Sequence, residues 1–122
     1  MLDAPPSAAR PEALSDLHPL LERLVTAFGS NRLARTLGVG AGTVANWRAG
    51  RRTIGSEHAQ RLLDLHDVMT RALQIMDPMV VADWLEGNEP FLDDARPVDV
   101  LVLKGSGPLI AALRGIAAGA SA

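Results

Sequence analysis

Apolar residues recur at spacings of three and four along most of this chain, a pattern typical of amphipathic helices. The first stripe predicts a helix from about Asp16 to Phe28, with Pro19 tolerated in its first turn. A longer stripe predicts a helix that begins with Ser56 as its N-cap and runs to about Met76. The first stripe consists of Leu17, Leu20, Leu21, Leu24, Val25 and Phe28, and the second of Ala59, Leu62, Leu65 or His66, Met69, Leu73 and Met76.

Two shorter helices are predicted between these, separated by a tight turn. The first spans Asn31 to Leu37 with Ser30 as its N-cap, and Gly38 follows where a left-handed residue ends a helix. The second spans about Ala41 to Ala49. The inward positions are Leu33, Ala34 and Leu37 in the first helix, and Val44 and Trp47 in the second. Two short helices joined by a turn containing glycine are typical of a helix-turn-helix, whose second helix lies in the major groove of DNA.

The remaining segment predicts three short helices. Asp77 as N-cap and Pro78 at the first helical position mark the start of one of them. A loop with two prolines is predicted over Asn88 to Pro97, and the valines at 98, 100 and 102 also fit a strand. The predicted helices are Met79 to Leu85, Val98 to Leu103 and Pro108 to about Ala117.

Length and composition limit what this chain can be. Its 122 residues allow one domain or two small ones, and 48% apolar content is enough to bury a core. The absence of cysteine excludes disulfides and thiolate zinc sites. No apolar run resembles a signal peptide or reaches the length of a membrane span, so we expect a cytoplasmic protein.

Charge is distributed unevenly. Residues 30–53 hold five arginines and no acidic residue, whereas residues 54–122 hold five basic and ten acidic residues. Residues 1–29 hold two basic and four acidic residues. The simplest explanation of the basic segment 30–53 is a solvated charged surface. Because this segment coincides with the predicted helix-turn-helix, however, contact with phosphate is favoured.

Residues 33–52, LARTLGVGAGTVANWRAGRR, resemble the Xre (Cro/C1-type) helix-turn-helix family. In that family a Leu-Gly-Val turn precedes the recognition helix, and a tryptophan packs near the end of that helix. The resemblance implies that Asn46 pairs with adenine and that Thr43 contacts a thymine methyl or a phosphate. The expected DNA-binding residues are Arg35, Thr43, Asn46, Arg48, Arg51 and Arg52. Because Gly40, Ala41 and Gly42 have almost no side chain, we expect modest base readout and affinity mainly from arginine–phosphate contacts.

A second signature lies in the C-terminal half. Trp84-Leu85, Asn88, Pro90-Phe91-Leu92, the run from Ala95 to Leu101 and Gly105 resemble the toxin-binding domain of the Xre–MbcA–ParS antitoxin family. With the helix-turn-helix, the resemblance covers about residues 24–116. It implies a type II antitoxin that inhibits a RES-domain toxin, an NAD-depleting enzyme, and represses the shared operon. The expected toxin-binding residues are Asn88, Phe91, Arg96 and Lys104.

Two residues of this signature carry specific expectations. Trp84 is expected in the core. Arg96 precedes Pro97 at a helix start, where a cation opposes the positive end of the helix dipole. We therefore expect Arg96 to contact a carboxylate, either an internal one such as Asp93 or one on the partner.

Together these features predict an all-α protein, in which an N-terminal helix-turn-helix bundle is joined by a long helix to a small helical toxin-binding module. The predicted divisions are a flexible tail (1–13), a DNA-binding domain (14–55), a connecting helix (56–76) and a toxin-binding domain (77–122). We expect a homodimer that forms a hetero-oligomer with the toxin and binds operator DNA. The stripe at Leu65, Met69 and Leu73 is a candidate dimer surface, with intramolecular packing as an equal alternative.

Catalytic, metal and cofactor sites are not expected. His58 and His66 are eight residues apart, whereas metal ligands on one helix are usually three or four residues apart. Gly105-Ser106-Gly107 is too short for a phosphate-binding loop. The alternative function is a helix-turn-helix transcriptional regulator whose C-terminal domain senses a small molecule or acts as a protein adaptor.

Overall fold

The computed structural model describes residues 17–121, the last two by their backbone alone. Over that range the chain forms α-helices, one short 3₁₀ turn and no strand, which confirms the all-α prediction. The helices are α1 (Leu17–Phe28), α2 (Ser30–Leu37), α3 (Ala41–Arg48), α4 (Ser56–Ala72), α5 (Pro78–Glu86), α6 (Pro97–Lys104) and α7 (Gly107–Ser121), and the 3₁₀ turn is Pro90–Leu92. The predicted tail, residues 1–13, and Asp16 lie outside the described residues.

The chain divides into two compact units within α4. Residues up to Leu62 belong to the first unit, and residues from Leu63 onward belong to the second. The division therefore falls inside the helix that the sequence predicts as a connector.

The first unit is built from helices that each bury one apolar face. α1 buries Leu17, Leu20, Leu21 and Leu24, while Val25 and Phe28 at the end of its predicted stripe are half-buried. α2 buries Leu33, Ala34 and Leu37, and α3 buries Val44 and Trp47, as the spacing predicts. Burial of these side chains supplies the main driving force that holds such short helices in place.

The start of α2 differs from the prediction by one residue. Ser30 lies inside the helix, and the N-cap is Gly29, with φ 84° and ψ 153°. The carbonyl of Gly29 accepts the first helical hydrogen bond from the Leu33 amide at 3.0 Å. The predicted end is confirmed, since Gly38 adopts the left-handed conformation with φ 73° and ψ 30°.

α4 is shorter than predicted, because it ends at Ala72 and not near Met76. The amides of Gln74 and Ile75 bond to carbonyls only three residues back, which tightens the chain into a turn before Asp77-Pro78. The buried residues of α4 are Ala59, Leu62, Leu65, Val68, Met69 and Ala72. Leu73 is exposed, contrary to the stripe, and Leu65 rather than His66 is the buried member. The burial of Leu65 and Met69 within one chain favours intramolecular packing over a dimer surface at these two positions.

The second unit comprises the end of α4, α5, the 3₁₀ turn, α6 and α7. The predicted loop contains the turn Pro90–Leu92 and a single antiparallel bridge between Glu89 and Ala95. Residues 98–102 are helical, so the strand alternative is wrong. α7 continues past the predicted end at Ala117 to Ser121. Alanine, which makes up two of the four residues of this extension, is the best helix former and needs no amphipathic pattern.

Candidate nucleic-acid interface

α3 presents a small, nearly bare outer face. Its inward side is occupied by Val44 and Trp47. On the other side Ala41 and Gly42 are exposed, and Thr43 and Asn46 are half-buried. The N-cap Gly40 is extended, with φ −74° and ψ 156°, and it offers no side-chain cap. The backbone of α3 is thus accessible to a ligand that approaches its first turn.

Two arginines follow α3 where the chain turns back at Gly50. Gly50 has φ 75°, and its amide bonds to the carbonyl of Trp47 at 3.1 Å. The amide of Arg51 bonds to the carbonyl of Asn46 at 2.9 Å. This helix-ending pattern places the Arg51 side chain beside α3, where its Nε donates to Oδ1 of Asn46 at 3.1 Å. Arg52 is exposed next to it.

Arg48 differs from these arginines because a carboxylate of α1 holds it. Its Nε donates to Oε2 of Glu22 at 2.8 Å, and its terminal nitrogen donates to Oε1 at 2.9 Å. The hydrogen bonding and charge of the guanidinium lower the pKa of the Glu22 carboxyl below its ordinary value of 4.5. The Nε2 of His18 donates to the carbonyl of Arg48 at 3.0 Å, which satisfies one carbonyl that the end of α3 leaves unpaired. Arg48 therefore positions the end of α3 against α1, with much of its charge offset locally.

A concavity of about 270 Å³ lies beside the end of α3. The rings of Trp47 and His58 are 5.5 Å apart between centroids, with an interplanar angle of 51°. Thr43 and Arg52, both predicted to bind DNA, share this concavity. Its lining consists of Thr43, Trp47, Arg52, Thr53, Gly55 and His58. The guanidinium, imidazole and hydroxyl groups are suited to an anion such as a backbone phosphate.

The structure thus gathers most, not all, of the predicted DNA-binding residues. Thr43 and Arg52 share the concavity, and Asn46 and Arg51 are hydrogen-bonded to each other. Arg35 is exposed in the last turn of α2. In the part of the chain that the structure describes, no group of three or more potential metal ligands is assembled. No helix of residues 17–121 has both the length and the apolar character needed to cross a bilayer.

In the second unit, the four predicted toxin-binding residues are all exposed, namely Asn88, Phe91, Arg96 and Lys104. Phe91 is the most distinctive, since 60% of this aromatic residue is accessible. Its ring lies against α7 at Gly115, where an added Cβ would come within 2.6 Å of Cε1 of the ring. Because Gly115 has no side chain, the phenyl ring packs directly against the backbone of α7.

Arg96 has partners within the second unit. As the N-cap of α6, it donates from Nε to the carbonyl of Glu86 at 3.2 Å, and its Nη1 lies 3.8 Å from Oδ2 of Asp99. The carboxylate is thus Asp99 and not the suggested Asp93. The bond to Glu86 satisfies a carbonyl at the end of α5, where a cation is electrostatically favourable. Arg96 therefore joins the end of one helix to the start of the next.

Glu89 is a key residue that the sequence reasoning missed. It is only 5% exposed, although it lies in a proline-containing loop. Its Oε1 accepts a hydrogen bond from Nε1 of Trp84 at 2.8 Å, and its Oε2 accepts one from the Phe91 amide at 2.7 Å. Trp84 is half-buried, so its expected core position is only partly realised. The glutamate fixes the turn that carries Phe91, and its place before Pro90 at a helix start is the signal that could have revealed it.

Large apolar side chains are exposed elsewhere in the second unit. Met79 is 79% exposed at the start of α5, and Leu103 is 80% exposed near the end of α6. Val80 and Val102 are also exposed. Exposed apolar groups of this size are what a protein partner buries on binding.

Comparison of the chain with protein-family models, with curated proteins and with solved structures finds no match. The resemblance to Xre-type antitoxins rests on residues 33–52 and on the signature between Trp84 and Gly105.

Proposed function

We propose that this protein is a DNA-binding antitoxin of the cytoplasm. Its first unit binds duplex DNA through the outer face of α3 and the arginines around it. Its second unit binds and inhibits a RES-domain toxin, and the DNA-bound protein represses the operon that encodes both. The observation that carries the proposal is the bare outer face of α3 next to the exposed Arg51 and Arg52, within residues 30–53, which hold five arginines and no carboxylate.

The geometry of α3 supports a groove-binding role. The small residues Gly40, Ala41 and Gly42 let the first turn approach a base edge or a phosphate closely. Arg51 and Arg52 follow the other end of the helix, from which their long side chains reach the sugar–phosphate backbone. Since a single small helix reads few bases, two copies on half-sites roughly 34 Å apart would supply the specificity that one lacks.

Support for the toxin-binding role comes from the resemblance and from the surface of the second unit. Phe91 and Leu103 offer exposed apolar area. Phe91 is held in place because its ring packs against Gly115 and its amide donates a hydrogen bond to Glu89. Pre-ordered aromatic groups bind partners well because little conformational entropy is lost on association. The acidic character of residues 54–122 repels DNA and favours a basic partner surface.

The DNA-binding half is tested by the salt dependence of duplex binding, measured by fluorescence anisotropy. The double variant Arg51→Ala/Arg52→Ala should bind all sequences more weakly and reduce the slope of log K against log salt by about two at most. Arg71→Ala/Arg114→Ala removes the same charge from the second unit and serves as the matched control. Equal loss in both variants would mean that net charge alone, and not this surface, governs binding.

The toxin-binding half is tested by co-expression with the product of the neighbouring reading frame. If that product is a RES-domain protein, the full-length chain should co-purify with it and restore growth. Phe91→Ala should weaken the complex, while Arg51→Ala/Arg52→Ala should leave it intact. A toxin that is neutralised equally well by the Phe91 variant would remove this surface from the interface.

A further inference from the structure

Arg51 is bound to Asn46 through both its backbone and its side chain. The Arg51 amide donates to the Asn46 carbonyl at 2.9 Å, and the Arg51 Nε donates to Asn46 Oδ1 at 3.1 Å. A guanidinium has donors and no acceptor, so it fixes the orientation of the amide. The Oδ1 atom faces Arg51, and the Nδ2 atom faces away from it.

This orientation changes what Asn46 offers to a base. An asparagine that reads adenine uses Oδ1 to accept from N6 and Nδ2 to donate to N7. In this structure Oδ1 already accepts from Arg51. Oδ1 keeps one lone pair, whereas the Nδ2 hydrogens of Asn46 and the terminal nitrogens of Arg51 are all donors, so the pair offers a ligand mainly donors. Guanine matches such a set because its major-groove edge carries two acceptors, O6 and N7.

We infer that Arg51 sets the base preference of Asn46, so that the coupled pair reads guanine and not adenine. This inference rests on the proposed DNA-binding function, and it replaces the pairing with adenine that the resemblance implies. It also gives Arg51 a role different from that of Arg52. Arg52 is exposed and lines the concavity beside Thr43, so under the proposed function it contacts phosphate and reads no base.

The test uses the full-length protein to select bound sequences from a library of randomised duplexes, so no operator sequence has to be known beforehand. The wild type should enrich guanine at one position of each half-site, by about tenfold over adenine, within the range typical of one good base contact. Arg51→Ala frees Oδ1 of Asn46 and should shift that position towards adenine. Asn46→Ala removes the Nδ2 donor of the pair and should reduce the preference for guanine at that position.

Arg52→Ala is the matched control, because it removes the same charge from the adjacent residue. It should weaken binding to all duplexes and leave the preferred base unchanged. An unchanged preference in Arg51→Ala, an adenine preference in the wild type, or no preference at all would overturn the inference while the DNA-binding proposal stands. Failure of the wild type to enrich or retain any duplex would overturn both.

Discussion

Replacing Glu89 with alanine should destabilise the second unit strongly. The carboxylate is 5% exposed and accepts two hydrogen bonds, from the Trp84 indole at 2.8 Å and from the Phe91 amide at 2.7 Å. In Glu89→Ala both donors lose their acceptor. The turn Pro90–Leu92 should then become less ordered, and the Phe91 ring should lose its contact with Gly115 in α7.

The magnitude follows from the two bonds. A hydrogen bond to a charged group contributes about 1.5–3 kcal/mol, so two of them give an upper range of about 3–6 kcal/mol. Because the half-buried Trp84 indole can regain a hydrogen bond to water, we expect a loss of about 3 kcal/mol. For a unit of this size each kcal/mol lowers Tm by about 4–8 °C, so Tm should fall by at least about 12 °C.

The assay is thermal unfolding followed by NMR of the two tryptophan indole N–H groups. The chain has only two tryptophans, Trp47 in the first unit and Trp84 in the second, so each unit has its own probe. In Glu89→Ala the Trp84 resonance should shift upfield and disappear at lower temperature, while that of Trp47 changes little. Glu57→Ala, which removes a carboxylate that is 73% exposed, is the control and should cost less than about 1 kcal/mol.

Glu89→Gln refines the test. Glutamine keeps one oxygen for one donor but sets its NH₂ group against the other, so we expect an intermediate loss of about 2 kcal/mol. A change below about 1 kcal/mol in Glu89→Ala, with the Trp84 resonance in place, would show that this carboxylate does not hold the turn.

Three further predictions concern other positions. Gly115→Ala should displace the Phe91 ring, because the new Cβ would lie 2.6 Å from it, and so weaken toxin binding in pull-down titrations; Gly119→Ala on the same helix, with open space around it, should not. Glu22→Gln should lower stability above pH 4.5, and the difference from the wild type should vanish as pH falls through the lowered pKa of Glu22, because the protonated wild-type carboxyl no longer pairs with its arginine. If urea titrations gave the same difference in unfolding free energy between Glu22→Gln and the wild type from pH 7 to pH 2, this prediction would be contradicted. Gly42→Ala, which meets no atom within 4 Å, should raise stability by about 0.5–1 kcal/mol in urea unfolding, and a loss would show that α3 cannot accept the side chain.

The sequence pattern located the helices because burial in each is confined to one face. The pattern did not predict the helix ends whose positions depend on backbone dihedral angles. Gly29 caps α2 with a positive φ that no periodicity reveals, and Leu73 continues an apolar stripe into a turn where it is exposed. The alanine-rich end of α7, up to Ser121, has too little contrast between polar and apolar residues for its extent to be predicted.

The candidate site was partly predictable for a related reason. Asn46, Arg51 and Arg52 lie near one another in sequence, so any tight turn after α3 keeps them close together. The pairing of Arg48 with Glu22 joins residues from different helices, and no local pattern indicates it. The bond from Arg51 to Asn46 depends on how the chain turns at the end of α3, which the sequence suggests only through Gly50.

The most direct test of the central claim is an NMR titration of the ¹⁵N-labelled full-length protein with a short duplex at low salt. The largest shifts should fall on residues 41–53, including the Asn46 side-chain amide and the Arg51 Nε–H. Residues of the second unit should change little, since their excess of acidic groups disfavours DNA. No shifts at low salt, or shifts confined to residues after Leu63, would contradict the assignment of α3 and its arginines as the DNA-binding surface.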